Sequence, residues 1–358
     1  MSNTLPDNLD SFYSTIMHIA LTSLKDNHFQ DNFDAERFNT DGTDHSQDFD
    51  PNKRVFYFTW FFFNKESLFQ SYMALSGEHS KLLYLCLIIY RMVGHLCFQL
   101  PLEFRARQDD LQSYYALAGT ADSTYPLAGT IGKLKHFDFV FDGERYIADC
   151  LGFEYYLHRK QYFYDQDGIR IRPEQGDTVI DGGACTGDTA LVFSNAVGAG
   201  GKVYSFDPVQ EHFDILTYNT KQFPYANVVP MPYGLSDHEV RAPLLVNEHY
   251  APGFSHEEQT VPLISLDRLV ARDEIKQIDF IKLDVEGAEM ATLKGAEASI
   301  RRFRPKMAIS LYHKPNDIFE IINYIKSNFD FYSLYIGHYT IHTEETVLYC
   351  APTHRSIG

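Results

Sequence analysis

The sequence predicts an α/β protein: a doubly wound, mostly parallel sheet in the second half, preceded by an N-terminal mixed α+β domain. Three observations predict it. From residue 177 onward, short β-branched runs alternate with segments of helical periodicity, as successive βαβ units require. The stretch "DTVIDGGACTGDT" (177–189) ends a strand in an acid and then loses its side chains, at the place where such sheets bind ligands. The final runs, "FYSLYIGHYT" and "TVLYC", lie a short turn apart and predict an antiparallel hairpin at one end of the sheet.

The elements follow in chain order. Residues 27–54 are polar, rich in Asp and Asn, and read as loop. "RVFYFTWFFF" is compatible with either strand or helix. "KESLFQSYMALSG" and "EHSKLLYLCLIIYRMVG" carry apolar residues at helical spacing, with Ser80 and Gly94 as start and stop signals. "HLCFQLPL" alternates toward a strand that stops at Pro101. Residues 118–133 read as loops, and "FDFVFDGERYIADC" as a hairpin about Asp142 and Gly143. "GIRIRPEQGD" closes the first half with turn residues. The expected boundary separates a domain of residues 1–165 from one of residues 166–358, and two domains suit a chain of 358 residues.

Beyond it, strands at "DTVIDG", "GKVYSFD", "NVVPMPYG", "IDFIKLDV" and "PKMAISLYH" are separated by helical patterns. These are "DTALVFSNAVG", "VQEHFDILTYNTKQF", "LDRLVARDE" and "GAEMATLKGAEASIRRF", with "DIFEIINYIKSNF" after the last strand. Residues 236–265 read as a β excursion.

Charge and composition narrow the partners. The formal charge is −17, from 48 acids against 31 bases, and a field of that sign repels phosphate backbones and anionic membrane faces. Nucleic acid is therefore excluded as an expected partner. "LLYLCLIIYRMVGHLCFQLPL" (82–102) is apolar, but Arg91, His95 and Gln99 interrupt it well short of the ~20 residues of a membrane span. A buried helix is expected there. The first residues lack a basic region followed by an apolar one, so no secretory signal is expected. Five scattered cysteines without a CxxC pair argue against a disulfide framework or structural zinc and suit a reducing cytoplasm. Aromatic residues reach 15%, enough for core and for stacking walls around a ring-bearing substrate. A homo-oligomer is compatible with all of this.

The glycine-bearing stretch carries the chemistry. Asp181 ends the first strand, and Gly182, Gly183 and Gly187 let the backbone approach a ligand. The helix that follows presents free N–H groups to an anionic group. A dinucleotide fingerprint has G-x-G-x-x-G without an acid at the strand end, so a nicotinamide or flavin cofactor is disfavoured. A cationic amine for Asp181 and a carboxylate for the helix N-terminus describe the amino-acid end of S-adenosylmethionine. The expected cofactor loop is Asp181, Gly182, Gly183, Ala184, Cys185, Thr186, Gly187, Asp188 and Thr189. Asp207, at the tip of the second strand, is expected at the ribose hydroxyls, its alternative being a helix cap. The "YGLS" stretch, with Leu235 and Ser236, joins the cofactor set. "IDFIKLDVEGAE" ends a buried strand in Asp284, followed by Glu286 and Glu289. Asp284 is expected to face the ligand, whereas Glu289 reads as a helix N-terminal charge. His313 stands at the next strand tip. Arg91 and His95, read as one helical turn apart, are candidates for an anionic group on the substrate, against the alternative of a buried, paired arginine.

At these residues the chain resembles the FkbM-type S-adenosylmethionine-dependent methyltransferases. The matching stretches are "VIDGGACTGDTALVFSNAVGAGGKVYSFDP", "IDFIKLDVEGAEMATLKGA" and "RPKMAISLYH", and residues 177–358 are covered. The helix of residues 82–102 is also similar to an N-terminal extension of larger members. The resemblance implies a class I methyltransferase fold, with a Rossmann-like seven-stranded sheet whose last strand is antiparallel. It also implies cofactor binding by residues 181–189 and 207, and O-methylation of hydroxyls on sugars or secondary metabolites. Cys185 departs from the commoner Gly or Asn, and Asp207 from the commoner Glu. The expected catalytic set is His313 as base with Asp284 and Glu286 orienting it or meeting the substrate or the cofactor amine. These acids could hold a divalent cation, although no ligand pattern forces one. A non-catalytic binding module and a nicotinamide-dependent oxidoreductase are the alternatives.

Overall fold

A computed structural model describes residues 5–26, 29, 32–39, 42–101, 121–126, 134–243 and 260–353. In chain order the helices are α1 (Leu9–Asp26), α2 (Ala35–Phe38), α3 (Pro51–Ala74), α4 (Glu78–Val93), α5 (Asp188–Val197), α6 (Gln210–Thr220), α7 (Leu266–Ala271), α8 (Glu289–Lys294), α9 (Glu297–Phe303) and α10 (Asp317–Asn328). The strands are β1 (Ala121–Asp122), β2 (Lys135–Phe141), β3 (Glu144–Cys150), β4 (Tyr164–Gln166), β5 (Ile169–Ile171), β6 (Thr178–Gly182), β7 (Lys202–Phe206), β8 (Val228–Met231), β9 (Gly234–Leu235), β10 (Val240–Pro243), β11 (Thr260–Ile264), β12 (Phe280–Leu283), β13 (Lys306–Ser310), β14 (Tyr332–His338) and β15 (Thr346–Pro352).

Seven strands form the main sheet in the order β14-β15-β13-β12-β6-β7-β8, with the last strand antiparallel. The strand order reverses between β6 and β12, which makes their carboxyl ends the switch point where a doubly wound sheet takes its ligand. Asp181 pairs in register with Lys282 on one side and with Ser205 on the other. The β excursion is present as a small sheet in which β11 pairs antiparallel with β10 and parallel with β9; residues 244–259 lie outside the described residues.

The chain divides into two compact units that do not follow the expected 165/166 boundary. One comprises residues 1–109 and 311–348, the other residues 110–310 and 349–358. The reason is packing. The hairpin of β2 and β3 contributes Phe137, Ala148 and Cys150 to a core with Ala190, Leu191 and Leu216, so it belongs with the parallel strands. In the other unit, the Trp60 ring of α3 lies 6.0 Å from Phe319 of α10, and its Nε1 donates to Asn316 Oδ1 at 2.8 Å.

The first unit settles the ambiguous aromatic run. "RVFYFTWFFF" is helical and continuous with the segment after it. Pro51 occupies the first turn and Asp50 caps it by accepting from Asn52 N at 2.8 Å. That start signal prevails over the β preference of the aromatics. Gly94 ends α4 with φ +82°, as expected, but Ser80 lies inside the helix, where its Oγ accepts from Ile336 N. "HLCFQLPL" forms no strand. Cys97 N and Phe98 N both donate to Gly94 O, and Asn32 Nδ2 donates to His95 O and Phe98 O, which closes a turn. Among the described residues, no helix is long and apolar enough to cross a membrane.

In the second unit, Asp142 and Gly143 both take positive φ (+49° and +85°), the two-residue turn that a twisted hairpin favours. The helix expected over "GAEMATLKGAEASIRRF" is broken into α8 and α9 at Gly295, where an added Cβ would lie 2.0 Å from Ser236 O.

Candidate functional site at the ends of β6, β7 and β12

The loop from Asp181 to Thr189 is built by its backbone. Gly183 has φ +78°, and a Cβ there would stand 1.8 Å from Asp284 O, so only glycine lets the exits of β6 and β12 come this close. Gly183 N and Ala184 N both donate to Phe206 O at 3.0 Å, and Gly187 N returns to Ala184 O. Gly187 takes φ +94° against Leu216, and Cys185 takes φ +43°. Thr186 is fully buried and its carbonyl accepts from Asn219 Nδ2 at 2.7 Å. Asn219 also exchanges hydrogen bonds with the Asp149 backbone, which fastens the loop to β3.

Asp181 has a different task from the one expected. Its carboxylate is fully buried and accepts from Thr189 Oγ1 (3.0 and 3.1 Å) and Ser205 Oγ (3.3 Å), and it pairs with Lys282 Nζ at 3.2 Å. The cation it holds is thus a side chain of its own sheet. Lys282 donates further to Gly182 O (3.0 Å) and Gly183 O (2.7 Å), so all three ammonium protons have acceptors. Burial opposes the lysine charge, but the neighbouring carboxylates, Asp181 foremost, outweigh it and raise its pKa. The ammonium also lies 5.4 Å from the Tyr162 ring centroid.

Asp207 is 5% exposed and accepts from Cys185 N and Val209 N, each at 3.0 Å, and from His212 Nδ1 at 3.1 Å. It therefore turns the chain into α6 as well as facing the loop. A carboxylate has about four acceptor positions, and these three bonds leave one open on Oδ2. Burial opposes protonation of His212, but the hydrogen bond and charge of Asp207 raise its pKa above the ordinary value, with smaller contributions from Glu211 and then Glu286. The Cys185 thiol is held protonated, chiefly by burial and then by the charges of Asp207 and Asp188. Burial also pushes the Asp188 carboxyl up to about 7, against a hydrogen bond from Thr189 N.

Asp284 is half-buried and its Oδ2 accepts from the Tyr162 hydroxyl at 2.8 Å. Glu286 is exposed on a tight turn with φ +52°. Glu289 stands in the first turn of α8, as expected of a helix N-terminal charge, but it is buried and its Oε1 accepts from Val285 N, which closes the turn at Glu286. Ser236 is buried and bonded to Ile264 O through its backbone. His313 is buried three residues beyond β13.

Arg91 is not an available cation. It is 6% exposed, and its guanidinium donates to Leu311 O and Pro315 O. Backbone carbonyls are thus among its partners. His95 lies beyond the end of α4, not on a shared helical turn, and its Nε2 contacts Ser46 O at 2.8 Å.

Sequence reasoning missed Lys282, Tyr162, Asn219 and His212. Lys282 had a signal, a single cation inside the apolar strand "DFIKL"; the others meet the loop only through the fold.

Residues 181–331 match the model of the methyltransferase FkbM domain. Within 139 residues it is 32% identical to the hexuronic acid methyltransferase AglP of Haloferax volcanii, a match covering 37% of this chain and 56% of that protein. Its fold is similar to the crystal structure of methyltransferase FkbM from Methylobacillus flagellatus KT, with a TM-score of 0.53 at 17% identity, over 82% of this chain and 60% of the other. The chain thus spans between half and two thirds of the length of each relative. The matched residues run from the end of β6 past α10 and contain the glycine loop, Asp207, Asp284 and His313.

Proposed function

We propose that the chain is an S-adenosylmethionine-dependent O-methyltransferase that acts on a hydroxyl of a sugar. The observation that carries this reading is the glycine loop after β6, facing an Asp207 that retains one acceptor position. That position suits a ribose hydroxyl at the carboxyl ends of the strands, where a doubly wound sheet takes its ligand. The named activity of the Haloferax relative supports a sugar acceptor. When bound, the cofactor would supply an electrophilic methyl group.

The chain's own residues do the remainder. Lys282 pins the carbonyls of Gly182 and Gly183, so the loop is rigid before any ligand arrives. Such preorganisation matters because alignment of reacting atoms is worth up to ~7–11 kcal/mol in a two-substrate reaction. Tyr162 orients the Asp284 carboxylate through its hydroxyl. His313 takes the proton of the acceptor hydroxyl, a role worth about 10²–10⁴-fold in rate.

Calorimetric titration with S-adenosylmethionine and with NADH tests the reading, followed by turnover of His313→Ala. S-adenosylmethionine should bind and NADH should not, and the variant should lose at least tenfold in turnover at nearly unchanged cofactor affinity. Binding of NADH alone overturns the proposal; an unaltered rate removes His313 from it.

A further inference from the structure

The donors around Asp207 are unevenly shared between its two oxygens. Oδ1 accepts from Val209 N at 3.0 Å and from His212 Nδ1 at 3.1 Å, whereas Oδ2 accepts from Cys185 N alone, at 3.0 Å, among the described residues. We propose that Asp207 receives a single ribose hydroxyl of the cofactor, because the ring of His212 occupies the position that a second hydroxyl would take. His212 is thereby a positioning residue that sets how the ribose is held. The inference rests on the methyltransferase reading and deepens it at the same site, and Cys185, Asp207, Val209 and His212 all lie in the second unit.

Two of the three donors come with the backbone. Val209 N closes the turn into α6, and Cys185 N belongs to the glycine loop. With these two alone, each carboxylate oxygen would keep one acceptor position, an arrangement that suits two neighbouring hydroxyls. His212 fills the position on Oδ1. A half-turn of the carboxylate would exchange the oxygens but not the donors, so the open position stays on the side of the glycine loop.

The histidine bond has a fixed direction. An ionised carboxylate only accepts, so Nδ1 carries a proton both in the neutral ring and in the cation. The side chain is also costly where it stands. His212 is buried in the first turn of α6, where a cation opposes the helix dipole. Burial opposes the charge as well, and the bond and charge of Asp207 raise the pKa against it, with Glu211 and Glu286 adding to the effect. Asp207 is thus the group that makes a histidine favourable at this place, and in return the ring takes one of its acceptor positions.

The test measures calorimetric affinities of the full chain for S-adenosylhomocysteine and for its 2′-deoxy and 3′-deoxy analogues, a readout independent of turnover. In the parent, one analogue should bind about tenfold more weakly than S-adenosylhomocysteine, as for loss of a hydrogen bond to a charged group, and the other within about twofold. His212→Leu should bring the two analogues to within about twofold of each other, because the second hydroxyl then finds an acceptor. His212→Asn, whose Nδ2 can take the place of Nδ1, should keep the parental difference. A role in folding alone would weaken all three ligands alike and leave their ratios unchanged. Equal losses for the two analogues in the parent, no loss for either, or a parental difference that survives in His212→Leu overturns the inference. The parental comparison needs no variant, so it remains decisive should His212→Leu fail to fold. In each of those cases retained binding of S-adenosylhomocysteine leaves the methyltransferase reading intact. No binding of S-adenosylhomocysteine by the parent sinks that reading and this inference with it.

Discussion

The edge where β6, β7 and β12 end and the aromatic helix α3 solve the problem of burial differently. At the sheet edge the buried groups are charged, and each is matched by a particular partner: Lys282 by Asp181 and two carbonyls, Asp207 by two backbone N–H groups and His212. Along α3, burial is aromatic. The Tyr13 and Phe61 rings stack at 5.7 Å, while Phe62 and Phe63 stay largely exposed. Charged partners are specific and intolerant of change, because a buried ion without its counterpart keeps its full desolvation cost. Apolar contact is non-directional and forgiving. Rigidity is thus concentrated at the edge where β6, β7 and β12 end.

This contrast can be broken most directly at Lys282. Lys282→Met should destabilise the chain by about 3–5 kcal/mol in chemical denaturation, because it strands Asp181 and two loop carbonyls. Adding Asp181→Asn should recover part of that loss. Full stability of the single variant would refute the paired-charge account.

Asp188 gives an effect of opposite sign. In the folded chain burial keeps its proton until about pH 7, whereas an unfolded Asp loses it near pH 4. The folded state then binds the extra proton between those values, so stability falls as pH rises through that window. Asp188→Asn should match the parent at pH 4 and exceed it by roughly 4 kcal/mol at pH 8. Equal denaturation midpoints at pH 8 would show the carboxyl ionises at little cost.

The smallest effect belongs to α3. Trp60→Phe keeps an aromatic ring but replaces the indole by the smaller phenyl and removes the Nε1 hydrogen bond to Asn316, which should cost about 1–2 kcal/mol. A loss as large as that of Lys282→Met would erase the distinction between the two regions.

Much of the sheet was legible because β-branched runs and helical spacing are local properties of the chain. The glycine loop was legible for the same reason, since its need for small residues is written in consecutive positions. What failed depended on distant partners. "HLCFQLPL" alternates as a strand does, but Asn32 captures two of its carbonyls and holds a turn. Asp181 looked like a ligand residue because the lysine that occupies it lies 101 positions later, a separation set by the three connections that lead from β6 through β7 and β8 to β12. Arg91 looked available because carbonyl acceptors leave no pattern in a sequence.

The near contact at Gly183 has an evolutionary consequence. With a β-carbon excluded there by a carbonyl of the adjoining strand, that position cannot drift through chemically similar residues. A homologue with any other amino acid there must have moved one of the two strand exits. That one position can therefore sort related chains, from sequence alone, into those that keep this loop geometry and those that have abandoned it.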